Sequence, residues 1–583
     1  MTLILQCSSF NLYPSDASLR LGNREQNPPP LARSMTKRMR IAFWFCAVVA
    51  GFLQAWGGRF YIEPDGVNYL DIADAYLRHD WASAINDYWS PLYSWLLAGT
   101  KWLFHPSPYW ESTALHLLNF ALYLLALLAF EFFFRRLLSL LAERYPDAVA
   151  GEGFPGWAWW TLGYAAFFIV ALRLIALSND TPDMALASLL FLAAGLLIDI
   201  AMRPASTLRH VMLGIVLTIA YFTKSIMFPM SFVYLAAAVF ARGGWKKPDP
   251  RALAGLAAFL FVSSPFVIAL SRAKGHLTFG ETGRIAYFNQ VTPPLVSGPN
   301  KLLHLHNRLF ENPTVYEYSS PFTSTYPPWH NESYWWEGAK FRFSLGNQLH
   351  AIARGITGYF RILSVEKEWI AGWLVLAFFA GAWSAHAKRW LALWFLWLPS
   401  AAMLALYSLV LVEPRYVAVA MAVVWLSLFA ALPWDKISSL PRLGSAVALA
   451  TVFISGAALV REVAPNFVAC LRPPAHMQLL AAEQLKRLNL RAGDHVAVLG
   501  HTTVADYWAH LGGFTIAADV PLEEVQSYWR ATPERRAEIS TTLAHFGVKA
   551  IVSATALPIP DGWQPLGDSG YYAHLVQALG TTN

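Results

Sequence analysis

Apolar runs of roughly 17 to 25 residues, each long enough to cross about 30 Å of hydrocarbon as a helix, recur through residues 41 to 460. Lipid offers no partner to a backbone N–H or C=O, so a spanning segment must satisfy these groups internally. Runs this continuous do so as helices, not as barrel strands. Eleven spans are expected, at about 41–58, 110–134, 157–177, 183–201, 211–223, 226–241, 252–270, 368–386, 390–411, 416–432 and 443–460. The composition agrees: 14% of residues are charged, against about 25% in an ordinary soluble domain.

Basic residues mark every second connection. Arg33, Lys37, Arg38 and Arg40 precede the first span, and Arg135 and Arg136 follow the second. Further groups are Arg203 and Arg209, then Arg242, Lys246, Lys247 and Arg251, then Lys388 and Arg389, then Lys436 and Arg442. Positive loops face the cytoplasm, so the net charge of +7 calls for no nucleic-acid partner. Residues 1–40 show no signal-peptide pattern and read as a disordered cytoplasmic leader, with Met35 an alternative start. Residues 41–460 read as the membrane domain, with outer loops 59–109 and 271–365, and 461–583 as an outer domain. In a bacterial cell these outer parts are periplasmic and the membrane is the inner one. Cys7, Cys46 and Cys470 form no CxxC pair and suggest neither a disulfide framework nor a metal site.

The outer segments hold the polar chemistry. In "YIEPDGVNYLDIADAYLRHDW", residues 61 to 81, helical periodicity begins at Val67. It sets Val67, Leu70 and Trp81 on one face and Asp71, Asp74 and Arg78 on another. Asp74 and Arg78 form an (i, i+4) pair, so this second face is expected to be solvated. Asp65, with Glu63 beside it, stands at the outer mouth of the first span, placed either to cap the following helix or to act as a general base. Asp180 and Asp183 in "SNDTPDM" form a second acidic mouth, suited to helix capping or to the acceptor side and a divalent cation, the one cofactor that such mouths suggest. Lys224 in "YFTKSIMFP" and Arg173 inside the third span are charges that lipid makes costly, and hence candidates for function, while Arg415 in "VEPRYVAV" stands beside Glu413 either as a plain ion pair or as a further candidate. Lys224 and Arg415 are expected at one depth, where a phosphate would meet a bidentate guanidinium.

Residues 271–365 are too long for a bare connection and are rich in aromatics and proline, so an ordered wall is expected. Past residue 460 the pattern becomes that of a small α/β domain, with helices at 476–489, 521–529 and 532–546 and strands at "HVAVLG" and "VKAIVSA". It lacks a Gly-rich phosphate fingerprint.

Four stretches in order, "PDGVNYLDIADAYLRHDWASAINDYWSPLYSWLLA", "TPDMALASLLFLAAG", "YFTKSIMFP" and "EPRYVAVAMAVVW", resemble the C-type glycosyltransferases, in the branch of protein O-mannosyltransferases and lipid A aminoarabinose transferases. The resemblance implies a polytopic helical enzyme that moves a sugar from a polyprenyl-phosphate carrier to a glycan, lipid or protein acceptor on the outer face. It implies that Asp65 is the base or orients the acceptor, that Lys224, Arg415 and Tyr416 contact the lipid-linked phosphate, and that Asp180 and Asp183 form the second acidic loop. Two departures stand out: Gly66 occupies the place of a second acid, and Ser225 that of the usual glycine after the lysine. A transporter or flippase of lipid-linked sugars, whose charges would lie nearer the midplane, and a non-catalytic envelope scaffold are the alternatives.

Overall fold

The computed structural model describes residues 30–145, 156–244, 246–292, 307–318, 320–336, 343–437, 441–472, 474–501, 507–554 and 562–576. Most of the expected leader, Cys7 included, lies outside these residues, but the first helix already begins at Pro30 and runs to Gly57. All eleven expected spans fall on helices. Among the described residues six helices are long and apolar enough to cross a membrane alone, or seven if the bent pair Trp383–Ala392 and Trp394–Ser408 counts as one span. The chain is a multi-pass helical membrane protein. Three shorter apolar helices, Thr207–Thr223, Met227–Phe240 and Pro414–Ala430, complete the bundle.

The helix Pro108–Arg144 runs the length of this bundle and defines its two ends. Near its C-terminal end, Arg136 pairs with Asp199 at 3.0 Å and Glu131 pairs with Arg40. Arg389 in turn donates to the Leu432 carbonyl at 3.0 Å, which ties one basic connection to the next. Near its N-terminal end, His116 Nε2 donates to the Tyr61 carbonyl at 2.8 Å, beside the acidic stretch. Close helix contacts depend on small residues, since lipid supplies no hydrophobic drive between helices. Gly214 and Gly255 face each other across Thr207–Thr223 and Ala252–Lys274, and a Cβ at either would collide with the other helix's backbone.

The stretch 61 to 81 forms the helix Pro64–Leu77, with Pro64 in its first turn, where a missing N–H costs nothing. Its expected solvated face is overturned: Asp71 is 6% exposed, and Asp74 pairs with Lys101, not with Arg78. Helix Pro91–Phe104, unforeseen in the first outer loop, supplies that lysine.

The C-terminal α/β part is built on a seven-stranded sheet of order β1-β2-β4-β3-β5-β7-β6. Strands β3 (His495–His501), β4 (Thr515–Pro521) and β5 (Val548–Ser553) run parallel, with β7 (Tyr572–Leu575) and β6 (Trp563–Pro565) added antiparallel beyond β5. The remaining strands, β1 (Arg308–Glu311) and β2 (Thr314–Glu317), come from the outer segment 271–365. They continue the sheet by pairing β2 antiparallel to β4, with Tyr316 opposite Asp519. The sheet therefore crosses the boundary expected at residue 460: an unpaired β4 edge is satisfied by a hairpin from the distant wall. Val315 on β2 is fully buried and packs with Ala517, Ala518 and Val520 of β4.

Val315→Asp should uncouple the hairpin, because an unpaired carboxylate buried there costs on the order of 3 kcal/mol or more. The expected outcome is a lower Tm for the C-terminal part and faster proteolysis within 307–318, with the membrane helices unaffected.

Candidate functional site

Three helices begin, and one ends, at a single point. Pro64–Leu77 and Pro414–Ala430 both start with the sequence Glu-Pro, so that Glu63 and Glu413 hold the N-cap positions and Asp65 and Arg415 fall one residue beyond the proline. Asp65 is thus in the first turn and is not the cap. Asp183 opens the helix Asp183–Met202 after Pro182, and Lys224 closes Thr207–Thr223 in extended conformation. Helix N-termini carry partial positive charge and favour carboxylates or phosphate nearby. Three of them converge here.

Arg415 is the centre of the arrangement. Its guanidinium lies 3.3 Å from Glu63 Oε2, 3.2 Å from Asp65 Oδ2 and 3.8 Å from Asp183 Oδ2. Lys224 Nζ is 2.5 Å from the other oxygen of Asp183 and 3.7 Å from the centre of the Tyr416 ring. Thr181 donates to Asp183 Oδ2 at 2.8 Å, so both oxygens of that carboxylate are engaged. Asp65 differs: only Oδ2 is engaged, and Oδ1 has no hydrogen-bond partner among the described residues. Burial holds the Asp65 carboxyl above its ordinary range despite the lowering pull of Arg415, and Glu63 is raised for the same reason.

Asp65, Asp183, Lys224, Arg415 and Tyr416 line one cavity of about 780 Å³. Its walls also include Tyr69, Tyr88, Tyr407 and Trp329. Tyr69 was readable as a partner of Asp65, since it follows by four residues on the same helix face. Trp329 was not, because its place is set by long-range contacts: its carbonyl accepts from Asn68 Nδ2 at 2.6 Å and from Trp89 Nε1 at 3.1 Å. The wall expected in 271–365 is present over the described part, in Leu277 to Gln290 and Trp329.

Three expected residues do not line this cavity. Asp180 is fully buried, accepts the Glu63 N–H at 3.1 Å and lies 3.7 Å from His116 Nδ1. It props up the turn before Pro64, and burial keeps its carboxyl well above the usual range. Arg173 lies on a π-helical segment, Ile169–Ile175, and turns to Glu366 at 3.3 Å and Glu462 at 3.9 Å. Glu63 touches Arg415 but is not part of the cavity wall.

Two acidic groups bring carboxylates close enough together to invite a divalent cation. Asp74, Glu111 and His510 have ligand atoms close enough to share an ion. Lys101 Nζ, however, lies 2.5 Å from Asp74 and 2.7 Å from Glu111, and supplies the positive charge an ion would bring. Around Arg415 the three carboxylates already face two cationic side chains. Neither group fits a metal without displacing a basic side chain.

Gly66 explains one departure from the family pattern. A Cβ there would stand 2.7 Å from Asp180 Cβ and 3.1 Å from Ile62 Cγ2, so no acid fits. Gly66→Ala should therefore displace the start of Pro64–Leu77 and destabilise the protein by about 1–3 kcal/mol, read as a lower Tm, whereas Gly99→Ala, with open space at its Cβ, should leave it unchanged.

No protein-family model and no curated protein sequence matches the chain. Among solved structures it is similar to ArnT from Cupriavidus metallidurans in the apo state, at 13% identity and TM-score 0.50, over 92% of this chain and 99% of that one. The same protein bound to undecaprenyl phosphate overlaps at 12% identity and TM-score 0.48, over 93% and 98% of the two chains. The oligosaccharyltransferase of Archaeoglobus fulgidus in the apo form overlaps at 14% identity and TM-score 0.45, over 88% and 69%. At these identities the likeness is one of architecture: the chain has the fold of the C-type glycosyltransferases.

Proposed function

We propose that this protein is an integral membrane glycosyltransferase that moves a sugar from a polyprenyl-phosphate carrier to an acceptor on the outer face of the membrane, the periplasmic face of a bacterial inner membrane. The observation that carries the reading is the shared cavity, lined by Asp65, Lys224 and Arg415 together. Its volume suits a sugar phosphate headgroup. Apolar residues such as Ile226, Pro229, Leu406 and Val410 continue the lining and suit the first units of a lipid chain.

The chemistry is a single displacement. An acceptor hydroxyl gives its proton to Asp65, and its oxygen attacks the anomeric carbon from the face opposite the carrier. The bond from that carbon to the phosphate oxygen breaks, the electron pair leaves with the phosphate, and the configuration inverts. Lys224 and Arg415 then stabilise the charge that develops on the leaving group. Asp65 is the better base among the three acids because it lines the cavity and one of its oxygens has no hydrogen-bond partner among the described residues, whereas Asp183 is engaged at both oxygens. Asp183 instead holds Lys224 until a phosphate competes for it. Tyr416 lies beneath both cations, 3.7 Å from Lys224 Nζ and 5.3 Å from the Arg415 guanidinium carbon, and keeps them on one side.

Asp65→Asn should retain carrier binding but lower the transfer rate by about 10²–10⁴-fold, measured with a polyprenyl-phosphate sugar in lipid nanodiscs. Full transfer by this variant would remove Asp65 as the base. Lys224→Met should weaken binding of polyprenyl phosphate itself, with at least a ten-fold rise in Kd on the scale of a lost charged hydrogen bond. Because the Asp65 carboxyl is raised in the protein and a base must be ionised, activity should rise with pH through a limb above the ordinary carboxylate range. A limb at or below that range would count against the assignment.

A further inference from the structure

The cavity uses one side of the helix Pro64–Leu77. Its other side carries a buried charge that the transfer chemistry does not use. Asp71 follows Asp65 by six residues, roughly 120° around the helix axis. It accepts the Thr325 N–H at 2.7 Å, the Thr325 hydroxyl at 2.8 Å and His510 Nδ1 at 2.8 Å. His510 belongs to the helix Tyr507–Gly512 of the C-terminal part, and its Nε2 lies 3.2 Å from Glu111 and 3.9 Å from Asp74. Tyr507 donates to Glu111 at 3.0 Å, and Lys101 joins Glu111 to Asp74.

Both ring nitrogens of His510 thus face carboxylates and both donate, which requires the imidazolium. Burial opposes that charge, but Glu111 and Asp71 outweigh it and push the His510 pKa up to about 10. Buried ion pairs add little net stability over apolar packing, while removing one partner strands the other. What such a pair does supply is a defined geometry. Thr325, held by Asp71, also accepts the Ile516 N–H at 2.8 Å, and four residues later Trp329 forms part of the cavity wall.

We propose that His510 is a positioning residue for the transfer reaction: through Asp71 it holds the helix Pro64–Leu77 in the rotation that presents Asp65 to the cavity, so the C-terminal α/β part belongs to the catalytic unit. The reaction in this statement rests on the transferase reading; the coupling does not.

The test uses the intact protein in lipid nanodiscs, with His510→Gln and, as a second variant that leaves the C-terminal sequence untouched, Asp71→Asn. Each should keep the Kd for polyprenyl phosphate and the KM for the carrier within about two-fold while lowering kcat ten-fold or more, as a small misplacement of a reacting group does. Each should also speed hydrogen exchange in residues 64–77 and leave 183–202 unchanged. The double variant should lose no more than the single ones, because both remove the same link. Unchanged kcat in both variants, losses that multiply in the double variant, or unchanged exchange in 64–77 would overturn the proposal. If the parent protein binds polyprenyl phosphate yet transfers nothing, the transferase reading fails, and the exchange result still decides the coupling.

Discussion

Arg415 is surrounded by Glu63, Asp65 and Asp183, and this one cation among three acids organises the outer end of the bundle. Each acid stands at the start of a helix, and Arg415 stands at the start of another. Like charges brought this close would repel strongly in a medium of low dielectric. The guanidinium, aided by Lys224, makes their convergence tolerable. With both cations removed, the first turns of Pro64–Leu77 and Asp183–Met202 would have to separate, and the cavity between them would lose its shape.

The same logic of compensated charge recurs on the far side of Pro64–Leu77. There His510 and Lys101 offset most of the charge of Asp71, Asp74 and Glu111. One helix of 14 residues is therefore held from two sides by buried ionic clusters, one toward the cavity and one toward the C-terminal sheet. Such clusters are expensive unless every partner is present. A helix fixed in this way has little freedom to rotate, as the base role proposed for Asp65 would require.

Much of this was legible in the residues. Proline after glutamate at 63–64 and 413–414 announces a helix start, and Asp65 and Arg415 follow in each case. Long apolar runs with basic residues at alternate connections gave the spans and their two ends. The misjudged elements share a cause. Asp71 and Asp74 match the spacing of a solvated face, yet residues from 101, 111, 325 and 510 cover them. Asp180 and Asp183 are three positions apart and chemically alike, yet one is buried under Gly66 while the other faces the cavity.

Local sequence determined which segments enter lipid, where helices begin and which residue types stand at their mouths, because hydropathy, proline geometry and helix dipoles act within a few residues. The tertiary structure alone decided which cavity-lining carboxylate keeps an oxygen without a hydrogen-bond partner among the described residues, that Arg173 is drawn off to Glu366, and that residues 308–317 complete the sheet of a part that begins far downstream. Those outcomes depend on pairings between positions one hundred to several hundred residues apart. No periodicity along the chain encodes such distances, since they arise only when the helices pack.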